Sequence, residues 1–216
     1  MSRKKLIIFP FNGNGLEALD CIREEEYDFI GFVDDNQEKI KAATPEFPVY
    51  DRHFLEEQQD ALVLAVPGSP LSYQQRDAVI ASLNLPESRF ATIIHPGAHI
   101  GRKVQLGYNC LIMAGVVLTS NVKLGNHICL LPNTVVHHDA IIGDYTLIGA
   151  NVAIAGGTTI EKRCYIGSGS NIINGIKIEE GCLVGLGSNV IRSFPSGSRI
   201  AGNPARALIK NDSADE

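Results

Sequence analysis

Tryptophan is absent from this chain, and Phe plus Tyr make up only 6% of its 216 residues. A buried core must therefore be built from aliphatic side chains. No apolar run approaches the roughly 18 residues that a membrane-spanning helix needs. The start, MSRKKLIIFP, is basic, but its apolar run is too short for a secretory signal peptide. Long basic runs are missing as well, and the net charge is −5, which argues against nucleic acid as the main partner. The five cysteines (Cys21, Cys110, Cys129, Cys164, Cys182) form no CxxC pair and leave one over. That pattern favours a reduced, cytoplasmic protein over a disulfide-bonded secreted one.

What is present divides into two grammars. Residues 1–92 read as a small α/β unit. KLIIF (5–9) is a short buried strand, followed by the loop PFNGNG and an amphipathic helix from about Leu16 to Glu25. FIGFV (29–33) is a second strand ending in Asp34-Asp35-Asn36. ALVLAV (61–66) is a third, followed by PGSP and a helix from about Tyr73 to Leu83. Strands alternating with helices predict a parallel sheet.

From Ile94 to Val190 every sixth residue is Ile, Leu or Val, seventeen positions without a slip. Four residues after each stands a small or β-branched residue, until the bulky Phe194 closes the series. Gly recurs just after the aliphatic position, at 101, 107, 125, 143, 149, 167 and 185. Such hexads predict a parallel β-helix over 93–216, three hexads to a coil. Residues 18 apart then stack at the sheet spacing of roughly 4.8 Å. Cys110, Cys164 and Cys182 fall on the small corner position, where packing explains them. A solenoid of just under six coils leaves flat ends to cover, and oligomerisation is a common solution.

The stretch TVVHHDAIIGD (134–144) sets two histidines inside this frame. His137 and His138 follow the interior Val136, so both reach outward. The column of His138 is Ser120, His138, Gly156, Asn174 and Arg192, which puts Gly156 one coil above it. A histidine under a bare glycine amide suits a narrow ligand running along the surface; a solvated side chain is the bland alternative. Zinc needs three or four converging ligands. No other His lies one coil away in either histidine column, so a metal site within one chain is not expected. In the N-terminal unit, FNGNG lies where α/β folds bind phosphates, and Asp34 and Asp35 follow about 20 residues later, where an acid meets ribose in dinucleotide folds. The loop is not a full GxGxxG, and a tight turn with a solvated acidic end reads equally well. The unit is short, which favours a mononucleotide or nucleotide sugar.

Together the glycine loop, GFVDDN, HHDAIIGD and GNPAR resemble the sialic-acid O-acetyltransferase (NeuD/PglD-like) family of hexapeptide-repeat sugar acyltransferases. Within it, the chain looks most similar to the nucleotide-sugar N-acetyltransferases of the PglD, VioB and PerB group. The resemblance covers nearly the whole chain, from KLIIF to AGNPARALIK. It implies an N-terminal Rossmann-like α/β domain (1–92) and a C-terminal left-handed β-helix with its tail (93–216). It implies a cytoplasmic homotrimer without metal that uses acetyl-CoA. The acceptor would be the amine of a nucleotide-linked 4-amino-4,6-dideoxy sugar, for bacterial surface glycans such as O-antigen. Carried over residue by residue, His138 matches the family's catalytic base, Asp139 its acidic partner and Gly156 the amide facing the acetyl carbonyl. Gly156, Gly167, Ser168, Ala205 and Arg206 are the implied coenzyme A contacts. Asn12, Gly13, Gly15, Asp34 and Asp35 are the implied nucleotide contacts. The chain departs from the family pattern at Asn14 and Leu147, where relatives often carry His, and at Leu131, where Asn is common. Competing readings are O-acetylation of a free sialic-type sugar, a zinc-dependent hydrase of the γ-carbonic anhydrase type, and a non-catalytic sugar-binding scaffold.

Overall fold

The computed structural model describes residues 2–208; Met1 and residues 209–216, which include the end of AGNPARALIK, lie outside them. The N-terminal unit is a four-stranded sheet in the order β3-β2-β1-β4, parallel throughout. Its strands are β1 (Lys4–Phe9), β2 (Tyr27–Val33), β3 (Val49–Tyr50) and β4 (Leu62–Ala65). The apolar run of β1 makes it the central strand, with its last four residues buried.

Helix α1 (Gly13–Leu19) starts and stops earlier than its apolar pattern predicts. The Asn12 side chain accepts from the Gly15 N–H at 2.8 Å and caps the helix inside the glycine loop. At the other end, Glu24, Glu25 and Glu26 would place three negative charges at a helix C-terminus, where the dipole disfavours them. Two short helices, α2 (Gln37–Lys41) and α3 (His53–Glu57), and strand β3 escape sequence periodicity because each spans five residues or fewer. The expected helix over 73–83 is a 3₁₀ turn, Tyr73–Gln75, running into α4 (Arg76–Ala81).

From Ile93–Ile94 to Asn189–Val190 the chain winds as two-residue strands, the second residue of each facing inward, into a left-handed β-helix. Strand partners are 18 apart, as in Val136↔Ile154, and form three parallel sheets. The register slips only at the end, where Leu183 pairs with Arg199 and Ile178 with Phe194, both 16 apart. Phe194 therefore sits opposite a large interior position and not in the small corner slot of the hexad series, which is why a bulky residue is tolerated there. The antiparallel hairpin of Arg199–Gly202 and Ala205–Ala207 closes this end.

The outward residue of each strand distinguishes the three faces. On one face it is Ile93, Leu111, Cys129, Leu147, Tyr165 and Leu183, which pack with Leu6, Ile8, Phe32 and Leu64 of the N-terminal unit. This is the docking face. The second face presents His99, Val117, Val135, Ala153, Asn171 and Asn189; the third presents Gln105, Lys123, Ile141, Thr159 and Lys177. Full burial of one Leu contributes about 1.5–3 kcal/mol, so the apolar docking face supplies most of the adhesion.

Polar contacts set the alignment. From 103 to 187 the third residue after each interior aliphatic takes a left-handed backbone conformation, and Gly, Asn or Asp holds most of these corners. At the corner leading into the docking face the series is instead Asn109, His127, Tyr145, Arg163 and Gly181, and every one meets the N-terminal unit. Asn109 brackets Ala65 with bonds of 2.7 and 2.8 Å, and Arg163 pairs with Asp77 at 3.0 Å. Gly181 O accepts from Tyr73 at 3.0 Å. Arg76, 1% exposed, donates to the carbonyls of Tyr145 (3.1 Å), His127 (2.8 Å) and Pro67. A buried cation held only by carbonyls contributes little net stability, but it fixes how the two units meet.

Candidate active site

The corner between the second and third faces lies opposite the docking face. Here Val136 points inward, His137 and His138 turn out, and Asp139 takes the left-handed slot with φ of 59°. Asp139 thus satisfies a backbone requirement and carries a carboxylate at once. Its Oδ2 lies 2.8 Å from His138 Nδ1, and its Oδ1 accepts from Asn121 Nδ2 at 2.9 Å. The His138 bond, and after it the Asn121 bond, hold the Asp139 carboxyl below the usual carboxylate range. With Nδ1 facing a carboxylate, His138 presents the bare Nε2 as an acceptor.

Gly156 stacks above His138, as the repeat register predicts. A Cβ added at Gly156 would stand 2.6 Å from both Cε1 and Nε2 of the ring, so only glycine leaves the imidazole in place. The neighbouring Gly157 N–H donates to His138 O at 2.9 Å and locks the two coils. Among the described residues the Gly156 N–H donates no hydrogen bond within the chain. The edge therefore carries a tethered base with a spare donor one coil above it. Higher on this edge stand Gly175, the exposed Ile173 and Ile191, and Arg192, whose guanidinium lies 5.2 Å over the Phe194 ring.

The other expected contacts fall elsewhere. Gly167 is buried, and a Cβ there would meet Leu186 N at 2.7 Å and Val184 O at 2.8 Å; close coil packing accounts for it. Ser168 Oγ accepts from the Ala150 N–H at 3.0 Å. Ala205 is buried in the closing hairpin, and Arg206 is exposed beside it. These four share the edge between the docking and second faces, one corner away from His138. Within one chain, the implied cofactor contacts and the base are thus on different edges, except for Gly156.

Several of the implied nucleotide contacts are engaged within the chain. Asp34 is 4% exposed, and its carboxylate is occupied by the N–H groups of Phe11 (3.0 Å) and Asn36 (2.9 Å) and by Lys39 Nζ (2.8 Å). It braces the glycine loop. Asp35 is paired through both oxygens with Arg52 at 2.6 and 2.8 Å. Sequence spacing predicts an acidic strand end but not the cations that neutralise it. Asn12 caps α1, and Gly15 is required because a Cβ would come within 2.6 Å of Pro10 O. Gly13 is open, with nothing within 4 Å of an added Cβ. This loop is on the docking-face side, across the β-helix from His138. Each side of the triangle spans about six residues, so the β-helix alone puts at least about 15 Å between them.

His127 is buried in the interface, and His95 Nδ1 accepts from the Gly97 N–H at 2.8 Å. Among the described residues no group of three or more His, Cys, Asp or Glu is placed to hold a metal ion, and no helix is long and apolar enough to cross a membrane. All five cysteines are free and buried; burial raises the Cys21 and Cys129 thiols to about 12.

Residues 121–156 match the family described as bacterial transferase hexapeptide (six repeats), and residues 93–126 and 157–191 match the hexapeptide repeat of succinyl-transferase. No curated protein matches the chain at a significant level. Among solved structures, PerB from Caulobacter crescentus, in complex with CoA and GDP-perosamine, is 24% identical with a TM-score of 0.83, over 96% of this chain and 98% of that one. The acetyltransferase domain of PglB from Neisseria gonorrhoeae, in complex with acetyl coenzyme A, is 22% identical with a TM-score of 0.82, over 96% and 100%. WeeI from Acinetobacter baumannii is 22% identical with a TM-score of 0.76, over 96% and 100%. The chain is a hexapeptide-repeat protein that shares the fold of these structures across both of its units.

Proposed function

We propose that this protein is an acetyl-CoA-dependent N-acetyltransferase that modifies the amine of a nucleotide-linked amino sugar. The observation that carries the reading is the His138–Asp139 pair, whose free Nε2 lies one coil below Gly156, a residue with an unused amide. The Caulobacter structure with CoA and GDP-perosamine, similar over both units, supports the substrate class.

In this reaction the amine lone pair attacks the thioester carbonyl, and the nitrogen gains a proton too many as the C–N bond forms. His138 Nε2 takes that proton while Asp139 stabilises the resulting imidazolium. The oxyanion of the tetrahedral intermediate accepts from the Gly156 N–H. Collapse breaks the C–S bond, and the proton on His138 passes to the departing thiolate. The products are the amide and coenzyme A.

Above His138 the edge suits a pantetheine arm. Gly157 and Gly175 leave it bare, Ile173 and Ile191 flank it, and Arg192 stands three coils up, about 14 Å away, where it can meet a phosphate. The glycine loop around Asn12, Gly13 and Gly15 is assigned to the nucleotide, with Asp34 as its brace and Asp35 at its rim. Because that loop and His138 lie on opposite sides of one β-helix, a complete site takes the loop from one copy and the base from another. The edge of Gly167, Ser168, Ala205 and Arg206 would likewise face the cofactor from a neighbouring copy. A cyclic trimer satisfies both requirements.

The test is coenzyme A release from acetyl-CoA with UDP-, dTDP- and GDP-linked 4-amino sugars and with free sialic acid, with His138→Asn and His137→Ala alongside. One of these acceptors should support turnover that His138→Asn reduces by at least about 10²-fold while His137→Ala has a milder effect. Near-normal turnover in His138→Asn removes the base from the mechanism; turnover of free sialic acid alone redirects the reading to O-acetylation.

A further inference from the structure

The stack that supports the base continues one coil below Asp139 and ends on Asn121. Asn121 Nδ2 donates to Asp139 Oδ1 at 2.9 Å, while Asp139 Oδ2 meets His138 Nδ1 at 2.8 Å. The backbones are pinned independently: Asn121 N–H donates to Arg102 O at 3.0 Å and Asp139 N–H to Ser120 O at 3.1 Å. The Asp139 side chain, by contrast, is 57% exposed, so packing does not fix its terminal torsion. A carboxylate turns easily about that bond. Among the described residues, the contacts that orient it are the His138 ring and the Asn121 amide.

We propose that Asn121 is a positioning residue of the active site, holding the Asp139 carboxylate in the orientation that keeps the His138 proton on Nδ1. This keeps the Nε2 lone pair turned toward the space beside Gly156. Free imidazole favours the opposite tautomer, with the proton on Nε2, so the useful form must be imposed. The kinetic consequence rests on the acetyl-transfer reading, whereas the tautomer itself does not depend on any substrate.

A corner-forming role alone would also explain an Asn at φ of 63°. The two roles separate cleanly, because equivalent corners at 115, 157, 169, 175, 181 and 187 are glycine. Asn121→Gly deletes the amide and keeps the backbone. Asn121→Asp keeps the shape and the tolerance for positive φ but replaces the donor with a second carboxylate.

The experiment is long-range ¹H–¹⁵N spectroscopy of histidine-labelled full-length protein without ligand, at about pH 8.5, where an ordinary imidazole is neutral. Wild type should show His138 as the Nδ1–H tautomer. Asn121→Gly and Asn121→Asp should each move it toward Nε2–H, with melting temperature unchanged in Asn121→Gly. Asp139→Gly should move it further, and Asn121→Gly added to Asp139→Gly should change nothing more. In the transfer assay, Asn121→Gly should lower kcat about tenfold with KM for acetyl-CoA within about twofold, and have less than about twofold effect in the Asp139→Gly background. A wild-type tautomer in both Asn121 variants overturns the proposal, as does an undiminished effect of Asn121→Gly when Asp139 is absent. If His138→Asn keeps its activity while the tautomer shifts as expected, the catalytic reading fails and the positioning contact stands.

Discussion

Acid should loosen the joint between the two units, and His127 determines the pH at which it does so. The ring is 3% exposed, stacked on Tyr145 at 4.5 Å and edged by Tyr108 at 4.9 Å and Phe90 at 5.3 Å. Its Nδ1 lies 2.8 Å from Asn109 Nδ2, whose amide also donates to Ala65 O, so Nδ1 must accept and the ring must be neutral. Burial first, and the Arg76 cation second, push its pKa from 6.5 down to about 4. In the unfolded chain this histidine regains an ordinary pKa, so between those values the unfolded state binds more protons. The contribution is therefore complete above about pH 6.5, is lost progressively as pH falls, and is gone below about pH 4. A gap of about 2.5 units at about 1.36 kcal/mol each gives about 3 kcal/mol. The comparison is with His127→Asn, since Asn holds the same left-handed corner at 109, 133 and 151. Urea unfolding at about pH 7, 5.5 and 4.5 should show wild type losing about 2–2.5 kcal/mol more than the variant between the first and the last. Carboxylates titrate in both proteins and cancel in the difference. Parallel pH dependences would refute the assignment of the strain to His127.

Two glycine substitutions should separate chemistry from packing. Gly156→Ala sets a methyl 2.6 Å from the His138 ring, an exposed side chain that can swing away. Melting should barely change while turnover falls about 10²-fold, the effect of misplacing a reactive group by about 1 Å; unchanged turnover would mean the ring does not need this position. Gly167→Ala presses its methyl on the backbone of Val184, Gly185 and Leu186, which cannot yield, and should cost about 1–3 kcal/mol in a denaturation curve. Unaltered stability with weakened acetyl-CoA binding would make Gly167 a cofactor contact after all.

The solenoid was legible because its physics is one-dimensional: an interior aliphatic every six residues fixes strand, corner and column together. That register alone puts Gly156 on His138. The same arithmetic puts Asn121 under Asp139, and the all-apolar outward series Ile93, Leu111, Cys129, Leu147, Tyr165 and Leu183 marks the docking face. The N-terminal loop was less legible because its chemistry depends on partners distant in sequence. Lys39 on Asp34 and Arg52 on Asp35 convert two free-looking carboxylates into struts, and neither pairing follows a period.

The left-handed corners explain why functional residues fall where they do. A residue of ordinary type costs roughly 1–2 kcal/mol in that conformation, which Gly avoids and Asn and Asp reduce. Where His127, Tyr145 and Arg163 occupy such corners, each side chain meets the N-terminal unit, at Phe90, in the cluster of Ile7 and Phe9, and at Asp77, so a contact offsets the strain. Asp139 needs no such compensation, because the residue type the backbone tolerates is also a carboxylate able to orient an imidazole. Asn121 fits its corner in the same way and supplies the donor below it. The opposite edge of the β-helix thus builds the proposed base, its carboxylate partner and their brace from residues the repeat already admits, and only Gly156 is set by the shape of the histidine beneath it.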